Sequence, residues 1–293
     1  MTQILQPPSI ALEGPSGTGK TDCIATFADA GVEVFHLGTE PGACEVLVDS
    51  FKRRGLPLSK LHFHQMELAP LGWNALRTQI EMVREMTFEA LTGVKDIAKR
   101  EMKHFMEMAS FCNNFVDDKD GRSYGDMMEW DASRVFVLDS LSGINKMARE
   151  YVVGYRPHMH VGEWGVAMQL EENFLYSLIA KRKCFFVVIA HVDREVDDVF
   201  GGTKLTLSAL GRKLAPQLVK FFSEVIYTKR EGSSFLWSTQ EPNVDTKFRS
   251  LPNSPKIAPT FQPIVEAYRE RIASLAAPSV PAPTPVVIAP TAE

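Results

Sequence analysis

The sequence of 293 residues contains no apolar run that approaches the roughly 20 residues a membrane-spanning helix needs. Its first eight residues lack the basic and apolar regions of a secretory signal. We see no internal repeat along the chain. These absences predict a globular, cytosolic protein without a membrane partner.

Cysteine is scarce, and acidic residues outnumber basic ones. The four cysteines, Cys23, Cys44, Cys112 and Cys184, are far apart and form no pair at metal-ligand spacing. We therefore expect buried thiols in a reducing compartment. The net charge of −4 gives no overall attraction to nucleic acid, so any contact with DNA must come from a local patch.

Short apolar segments alternate with segments of helical periodicity, which predicts an α/β fold. We predict strands at residues 9–13, 32–39, 61–66, 134–139 and 184–190, and helices at residues 21–28, 73–103, 162–181 and 262–274. The fifth of these strands carries no charge and is typical of a strand buried on both faces, as in a mainly parallel central sheet flanked by helices. Residues 224–229 and 234–239 flank a turn and predict a C-terminal antiparallel hairpin.

The chain divides into one domain and a tail. Residues 1–275 are expected to form a single domain, with a helical or loop insertion at about residues 82–130. Within that insertion, residues 113–131 are polar and typical of a loop. Residues 276–293 are rich in proline and alanine, which predicts an extended, disordered tail.

The most specific motif is a phosphate loop at residues 14–21. Its residues are Gly14, Pro15, Ser16, Gly17, Thr18, Gly19, Lys20 and Thr21. The glycines let successive backbone N–H groups point at phosphate oxygens, the lysine adds charge at the β- and γ-phosphates, and the threonine hydroxyl is a ligand for Mg²⁺. The loop lies between a predicted strand and a predicted helix, as this motif requires. The sequence therefore predicts binding of ATP with Mg²⁺.

Asp139 closes an apolar strand, where a second Mg²⁺-binding residue is expected. The alternative is a helix cap or turn residue. Its neighbour is Ser140, whereas many ATPases place a catalytic glutamate there, so a residue that orients water must come from elsewhere. Glu40 fits best, because it follows the second predicted strand and ligand sites form beyond the carboxyl ends of parallel strands. Otherwise Glu40 is a turn carboxylate.

The phosphate loop, Glu40 and the Asp139–Ser140 strand end together resemble the RecA-like ATPases. They are most similar to a bacteriophage branch of AAA-type nucleotide-binding proteins related to single-strand-annealing recombination proteins. The resemblance covers most of residues 9–252 and is loose in the insertion. It implies that Glu40 activates water, and that His191, which directly follows the strand at residues 184–190, senses the γ-phosphate. The alternative for His191 is a structural histidine.

The resemblance also implies an active site shared between subunits of a homo-oligomer, either a ring or a filament. In RecA-like assemblies a Lys-x-Arg pair at the position of Lys247 and Arg249 reaches the neighbour's γ-phosphate and offsets charge in the transition state. Alternation along a strand would place both side chains on one face. The alternative is a pair of exposed strand charges.

The resemblance further implies a mobile DNA-binding loop at residues 192–204. This loop is acidic at its centre, with Asp197 and Asp198, while basic residues return at Lys204 and Lys220. A solvated surface and a DNA contact therefore both stay open. The implied setting is phage DNA recombination, repair or replication on single-stranded DNA in the host cytoplasm.

Two other functions stay open. The first is a non-catalytic nucleotide-binding switch or assembly partner. The second is a P-loop kinase, which would need a lid of arginines and an acceptor pocket. The arginines of this sequence are not clustered in that way.

Overall fold

A computed structural model describes residues 5–66, 73–85, 87, 102–154, 156, 158–196, 201–211 and 213–276. Its strands are β1 (Ser9–Glu13), β2 (Glu33–Gly38), β3 (Leu61–Gln65), β4 (Arg134–Asp139), β5 (Phe185–Ala190), β6 (Val192–Val196), β7 (Thr203–Leu207), β8 (Glu224–Glu231) and β9 (Ser234–Ser238). Seven of them form one sheet in the order β3-β2-β4-β5-β1-β8-β9. All neighbours in this sheet are parallel except β8 and β9, which form the antiparallel hairpin. The predicted fold class is confirmed.

Helices cover both faces of the sheet. They are α1 (Lys20–Cys23), α2 (Thr26–Asp29), α3 (Ala43–Arg54), α4 (Trp73–Glu85), α5 (His104–Asn113), α6 (Leu141–Val153), α7 (Val161–Ala180), α8 (Ala215–Phe221) and α9 (Gln262–Ala276). Short 3-10 helices occur at Leu58–Lys60 and Met127–Glu129. None of the helices in the described ranges is long and apolar enough to cross a membrane.

Two hydrophobic cores lie on opposite faces of the sheet, because alternate residues of a strand point to opposite sides. Phe136 and Phe186 belong to the core beneath α5, α6, α7 and α8. Val135 and Phe185 belong to the core beneath α2, α3 and α9. Each such side chain is fully or almost fully buried, and burial of one contributes about 1.5–3 kcal/mol. The absence of charge within β5 follows from this double burial.

Several predicted bounds differ from the structure. The helix predicted at residues 21–28 is two short helices, because Ile24 and Phe27 donate their amides only three residues back, to Thr21 and Ile24. The helix predicted at residues 73–103 is described only as α4, and residues 88–101 lie outside the described part. The predicted tail also lies outside it, apart from Ala276, which ends α9.

The insertion covers the edge strand β3, which was not expected of a polar loop. The amide of Phe63 donates to Asp117 Oδ1 at 3.4 Å, and the amide of Gln65 donates to Asp118 Oδ2 at 2.8 Å. The Asp118 amide in turn donates to Phe63 O at 2.9 Å. His62 Nδ1 lies 2.8 Å from Asp117 Oδ2 in the buried part of this contact. Two carboxylates thus occupy hydrogen-bonding positions that an eighth strand would otherwise take.

The other edge of the sheet, β9, is also covered over its second half. Trp237 and Ile257 exchange two backbone hydrogen bonds of 2.9 and 2.8 Å. The Thr239 amide donates to Ser254 O at 3.0 Å. The segment after the hairpin therefore closes this edge.

The prediction of a loop at residues 192–204 was wrong at both ends of that range, where β6 and β7 form an antiparallel ribbon, and residues 197–200 lie outside the described part. Val192 pairs with Leu207 and Val196 pairs with Thr203. Leu207 is buried, whereas Val196 is 75% exposed, so the base of the ribbon packs on the domain and its far end projects. Three consecutive charged residues, Asp193, Arg194 and Glu195, occupy the middle of β6, and Asp193 and Arg194 are exposed, so little of this strand is buried.

Candidate functional site

The phosphate loop leaves the carboxyl end of β1 and enters α1. Gly14, Gly17 and Gly19 have φ values of 153°, 74° and 80°. A Cβ atom on Gly14 would lie 2.2 Å from Thr228 Oγ1, and one on Gly19 would lie 2.8 Å from the Phe235 ring. Gly14 and Gly19 therefore allow a close approach to the β8–β9 hairpin, whereas Gly17 supplies backbone freedom at an open position.

Thr228 fastens the loop to the sheet and was not found from the sequence. Its hydroxyl donates to Glu13 O at 3.1 Å and lies 2.7 Å from Thr18 Oγ1. Thr18 Oγ1 also donates to Pro15 O at 2.8 Å. Because Thr228 lies in a distant strand without a motif of its own, only the pairing of β1 with β8 reveals it.

A cavity of about 670 Å³ opens beside the loop. Its lining includes many of the site residues predicted from the sequence, namely Ser16, Gly17, Thr18, Gly19, Lys20, Thr21, Glu40, Asp139 and His191. These residues come from the carboxyl ends of β1, β2, β4 and β5, which meet at one edge of the parallel sheet. The cavity is large enough for a nucleotide.

Lys20 is buried at the floor of this cavity. Its Nζ donates to Gly14 O and to Pro15 O, each at 2.7 Å. Burial lowers the pKa of Lys20 to about 8, although the charges of Asp139 and Glu40 act in the opposite direction. A cation held by neutral carbonyl oxygens can exchange them for the oxygens of a phosphate, which bind it more strongly.

Thr21 and Asp139 lie in contact. Thr21 Oγ1 donates to Asp139 Oδ2 at 2.7 Å, and His36 Nε2 lies 3.2 Å from the same oxygen. A hydroxyl and a carboxylate are the hard oxygen ligands that Mg²⁺ prefers, so these two residues fit that ion. No group of three or more His, Cys, Asp or Glu in the described ranges could hold a metal by itself. Phosphate oxygens and water would therefore complete the coordination.

Glu40 is held by two neighbours through one oxygen. Ser140 Oγ donates to Glu40 Oε1, and His191 Nε2 lies 3.6 Å from the same atom. Ser140 is in turn fixed by Thr39, whose Oγ1 accepts from the Ser140 amide at 2.8 Å. In the sequence, Ser140 stood out only because many ATPases have a glutamate at this position. In the structure, its hydroxyl donates a hydrogen bond to the Glu40 carboxylate. The Asp139–Ser140 peptide is cis.

Lys247 and Arg249 do not lie on a continuous strand, so strand alternation does not place their side chains on one face as predicted. Lys247 forms an isolated bridge with Val225, and Arg249 follows in a bend. Lys247 Nζ donates to Phe222 O at 2.6 Å, and the Arg249 side chain is exposed.

Both residues lie far from the phosphate loop of their own chain. They line a second cavity, of about 500 Å³, together with Ser9 at the start of β1 and Glu224 at the start of β8. The loop follows the other end of β1, whose five residues span about 16 Å. The structure therefore separates this pair from the other predicted site residues.

Phe235 forms an aromatic wall of the first cavity and was also not found from the sequence. It lies on β9, next to Gly19, and its ring centroid is 5.8 Å from the Arg230 guanidinium carbon. An aromatic ring beside a phosphate-binding loop offers a planar base an apolar contact.

A family model and a solved structure are similar to this chain. A family model described as "AAA domain" matches residues 6–250. These residues include all seven strands of the central sheet. Among solved structures, the RadB recombinase aligns over 84% of each chain with 13% sequence identity and a TM-score of 0.44. A search of curated proteins gave no match. The match over most of the sequence shows that the chain belongs to the AAA domain family.

Proposed function

We propose that this chain is a Mg²⁺-dependent ATPase of the RecA-like kind. The observation that carries the proposal is the convergence of Lys20, Thr21, Glu40, Asp139 and His191 on one cavity beside a complete phosphate loop. The family supports nucleotide binding, and the geometry supplies a candidate residue for each further step.

Binding begins at the phosphate loop. The loop amides receive the phosphate oxygens, and Lys20 leaves its two carbonyl partners for the β- and γ-phosphates. Thr21 and Asp139 would hold Mg²⁺, which neutralises charge between the β- and γ-phosphates when bound. Phe235 would contact the base.

Glu40 acts as the base in hydrolysis. Ser140 and His191 both contact its Oε1, so Oε2 is the atom we assign to take the proton of the attacking water. His191 lies between the end of β5 and the start of the ribbon, and its carbonyl oxygen accepts from the Ser208 amide at 2.9 Å. A change in the contact between His191 and Glu40 after loss of the γ-phosphate would therefore reach the ribbon.

Phosphate release by Glu40→Gln tests the catalytic role. We expect a fall in rate of at least about 100-fold, which is the range for loss of a general base, with ATP affinity within about threefold of the wild type. Glu45→Gln is the matched control, because Glu45 lies nearby in the first turn of α3 but does not line the cavity. Lys20→Ala should abolish binding. An unchanged rate in Glu40→Gln would refute the assignment.

The same assay separates the alternatives. Wild-type protein that binds ATP through Lys20 but releases no phosphate would support a non-catalytic switch. Phosphate release without an added acceptor would exclude a kinase.

We further propose that Lys247 and Arg249 complete the active site of a neighbouring copy. Their distance from the loop of their own chain supports this, since only a head-to-tail neighbour could bring them to a nucleotide. The test is to mix Lys20→Ala with Arg249→Ala, each inactive alone. In an equal mixture, about half of the protomers keep Lys20, and about half of their neighbours keep Arg249. About a quarter of the sites should therefore contain both residues and regain activity. No recovery at any mixing ratio would refute the shared site.

Single-stranded DNA is the partner we propose, in recombination, repair or replication of phage DNA. Support comes from the ribbon, which begins directly after His191 and projects from the domain. Its described charges are balanced, with Asp193 and Glu195 against Arg194 and Lys204. The test is ATPase activity with and without single-stranded DNA. No stimulation and no DNA retention at low salt would refute this partner.

A further inference from the structure

His36 lies on β2, the strand next to the β3 edge of the sheet, and is fully buried. Its Nε2 is 3.2 Å from Asp139 Oδ2, the oxygen that also accepts from Thr21. A carboxylate oxygen only accepts hydrogen bonds, so the ring hydrogen lies on Nε2 and His36 donates to Asp139. Two donors, Thr21 and His36, therefore hold the same oxygen of this carboxylate.

The other side of the His36 ring contacts a thiol. Cys44 Sγ lies 3.6 Å from His36 Nδ1. Burial raises the pKa of Cys44 to about 12, so the thiol keeps its single hydrogen, which it can donate either to His36 Nδ1 or to Gln65 Oε1. Cys44 belongs to the first turn of α3, which links the ring to the helix that follows the Glu40 loop.

Gln65 extends the contact from Cys44 to the backbone of Glu40. Its Oε1 lies 3.5 Å from Cys44 Sγ, and its Nε2 donates to Glu40 O at 3.1 Å and Gly38 O at 3.3 Å. Gly38 leaves the space for this amide, because a Cβ there would lie 2.5 Å from Gln65 Oε1. A continuous set of polar contacts therefore joins Asp139 to the main chain of Glu40. Buried networks of this kind hold their members in one arrangement.

We propose that His36 is a positioning residue that holds Asp139 in the orientation in which it binds Mg²⁺. Cys44 and Gln65 anchor the His36 ring to the backbone that carries Glu40, so the metal carboxylate and the base share one support. The inference rests on the proposed function, and it assigns His36 no contact with the nucleotide. Loss of a residue that orients a metal ligand lowers metal affinity by about 10- to 100-fold.

Binding of a fluorescent ADP analogue, with Mg²⁺ and with EDTA, tests this without any need for hydrolysis. His36→Phe keeps a ring but removes the donor, and we expect it to reduce the gain in affinity on adding Mg²⁺ by about 10-fold or more. Affinity in EDTA should stay within about threefold of the wild type, because the loop and Lys20 are untouched. His36→Gln, whose amide can reach Asp139, should restore most of the gain.

His62→Phe is the matched control. His62 is also buried and bonded to an aspartate, Asp117 at 2.8 Å, but lies at the edge strand away from the cavity. It should lose stability without losing the Mg²⁺ effect. If His36→Phe does not fold, as judged by circular dichroism, His36→Asn takes its place, because its shorter amide remains polar but does not reach Asp139.

The outcomes separate this inference from the proposed function. Wild-type protein that binds no nucleotide refutes both. A wild-type Mg²⁺ effect that persists in His36→Phe or in His36→Asn refutes the role of His36 alone. An equal loss in His62→Phe also refutes it, since general destabilisation would then explain the result. A loss confined to His36→Phe or His36→Asn, with rescue by His36→Gln, supports the positioning role.

Discussion

Replacing Gly14 by alanine measures how tightly the phosphate loop is held against β8. The added Cβ would lie 2.2 Å from Thr228 Oγ1 and 2.4 Å from Thr228 O. The hydroxyl could rotate away, at the cost of its contacts with Glu13 and Thr18. The carbonyl oxygen belongs to a strand paired on both sides and cannot move alone. The loop itself would have to shift.

The expected loss follows from two contributions. Overpacking of this kind costs about 1–3 kcal/mol, and the φ of 153°, which is rare outside glycine, costs about 1–3 kcal/mol more. A total near 4 kcal/mol is a large part of the roughly 5–15 kcal/mol by which domains are stable. Gly17→Ala is the control, because its φ of 74° is also positive but no atom lies within 4 Å of the added Cβ. It should lose only about 1–2 kcal/mol.

Urea unfolding followed by circular dichroism, without nucleotide, gives both free energies of unfolding. Gly14→Ala should be less stable than Gly17→Ala by about 2–3 kcal/mol. A difference of less than about 1 kcal/mol between the two variants would show that Thr228 leaves room for a side chain at residue 14, and would refute a tight contact between the loop and β8.

Three further predictions concern single side chains. Glu171 is fully buried in α7, and burial raises its pKa from 4.5 to about 8, so the folded state binds the extra proton and stability falls as the pH rises between these values. In urea unfolding, the stability of Glu171→Gln relative to the wild type should increase by about 1.4 kcal/mol for each pH unit across this range. A difference that does not change with pH would contradict the burial of a titrating acid. Asp117→Asn removes the charged acceptor of the Phe63 amide and of His62, so the free energy of unfolding should fall by about 3 kcal/mol. Light scattering should also rise with protein concentration, because the β3 edge becomes open to other molecules. Unchanged scattering would mean that other contacts close this edge. Phe235→Ala should weaken ATP binding by about 5- to 100-fold while leaving inorganic tripolyphosphate binding unchanged, and equal losses for both ligands would exclude contact with the base.

The order of elements was predictable because the strands are buried on both faces. Double burial requires uninterrupted apolar segments such as β5, and these stand out in any sequence. The phosphate loop was predictable because its chemistry needs neighbouring residues in fixed order. Glu40 and Asp139 followed from the rule that parallel strands present their carboxyl ends at one edge, and both line the cavity.

Long-range contacts made by ordinary residues were not predictable. Thr228, Phe235 and His36 meet the site only through strand pairing and side-chain direction, and none belongs to a recognisable motif. The polarity of residues 113–131 indicated a loop, whereas Asp117 is buried because the amide of Phe63 and the ring of His62 satisfy its carboxylate. The polarity of a side chain indicates that it needs hydrogen-bond partners, but not whether water or the protein supplies them.

The two covered edges of the central sheet restrict how copies of this chain can join. Asp117 and Asp118 occupy amides of β3, and the segment at Ile257 occupies those of Trp237 on β9. Among the strands that the structure describes, those of the sheet thus leave little backbone for a second molecule to extend. Copies of the chain must then associate through side chains at the ends and faces of the domain. Such contacts depend on salt, protein concentration and ligand, and so are reversible, unlike the persistent backbone pairing between strands in fibrils.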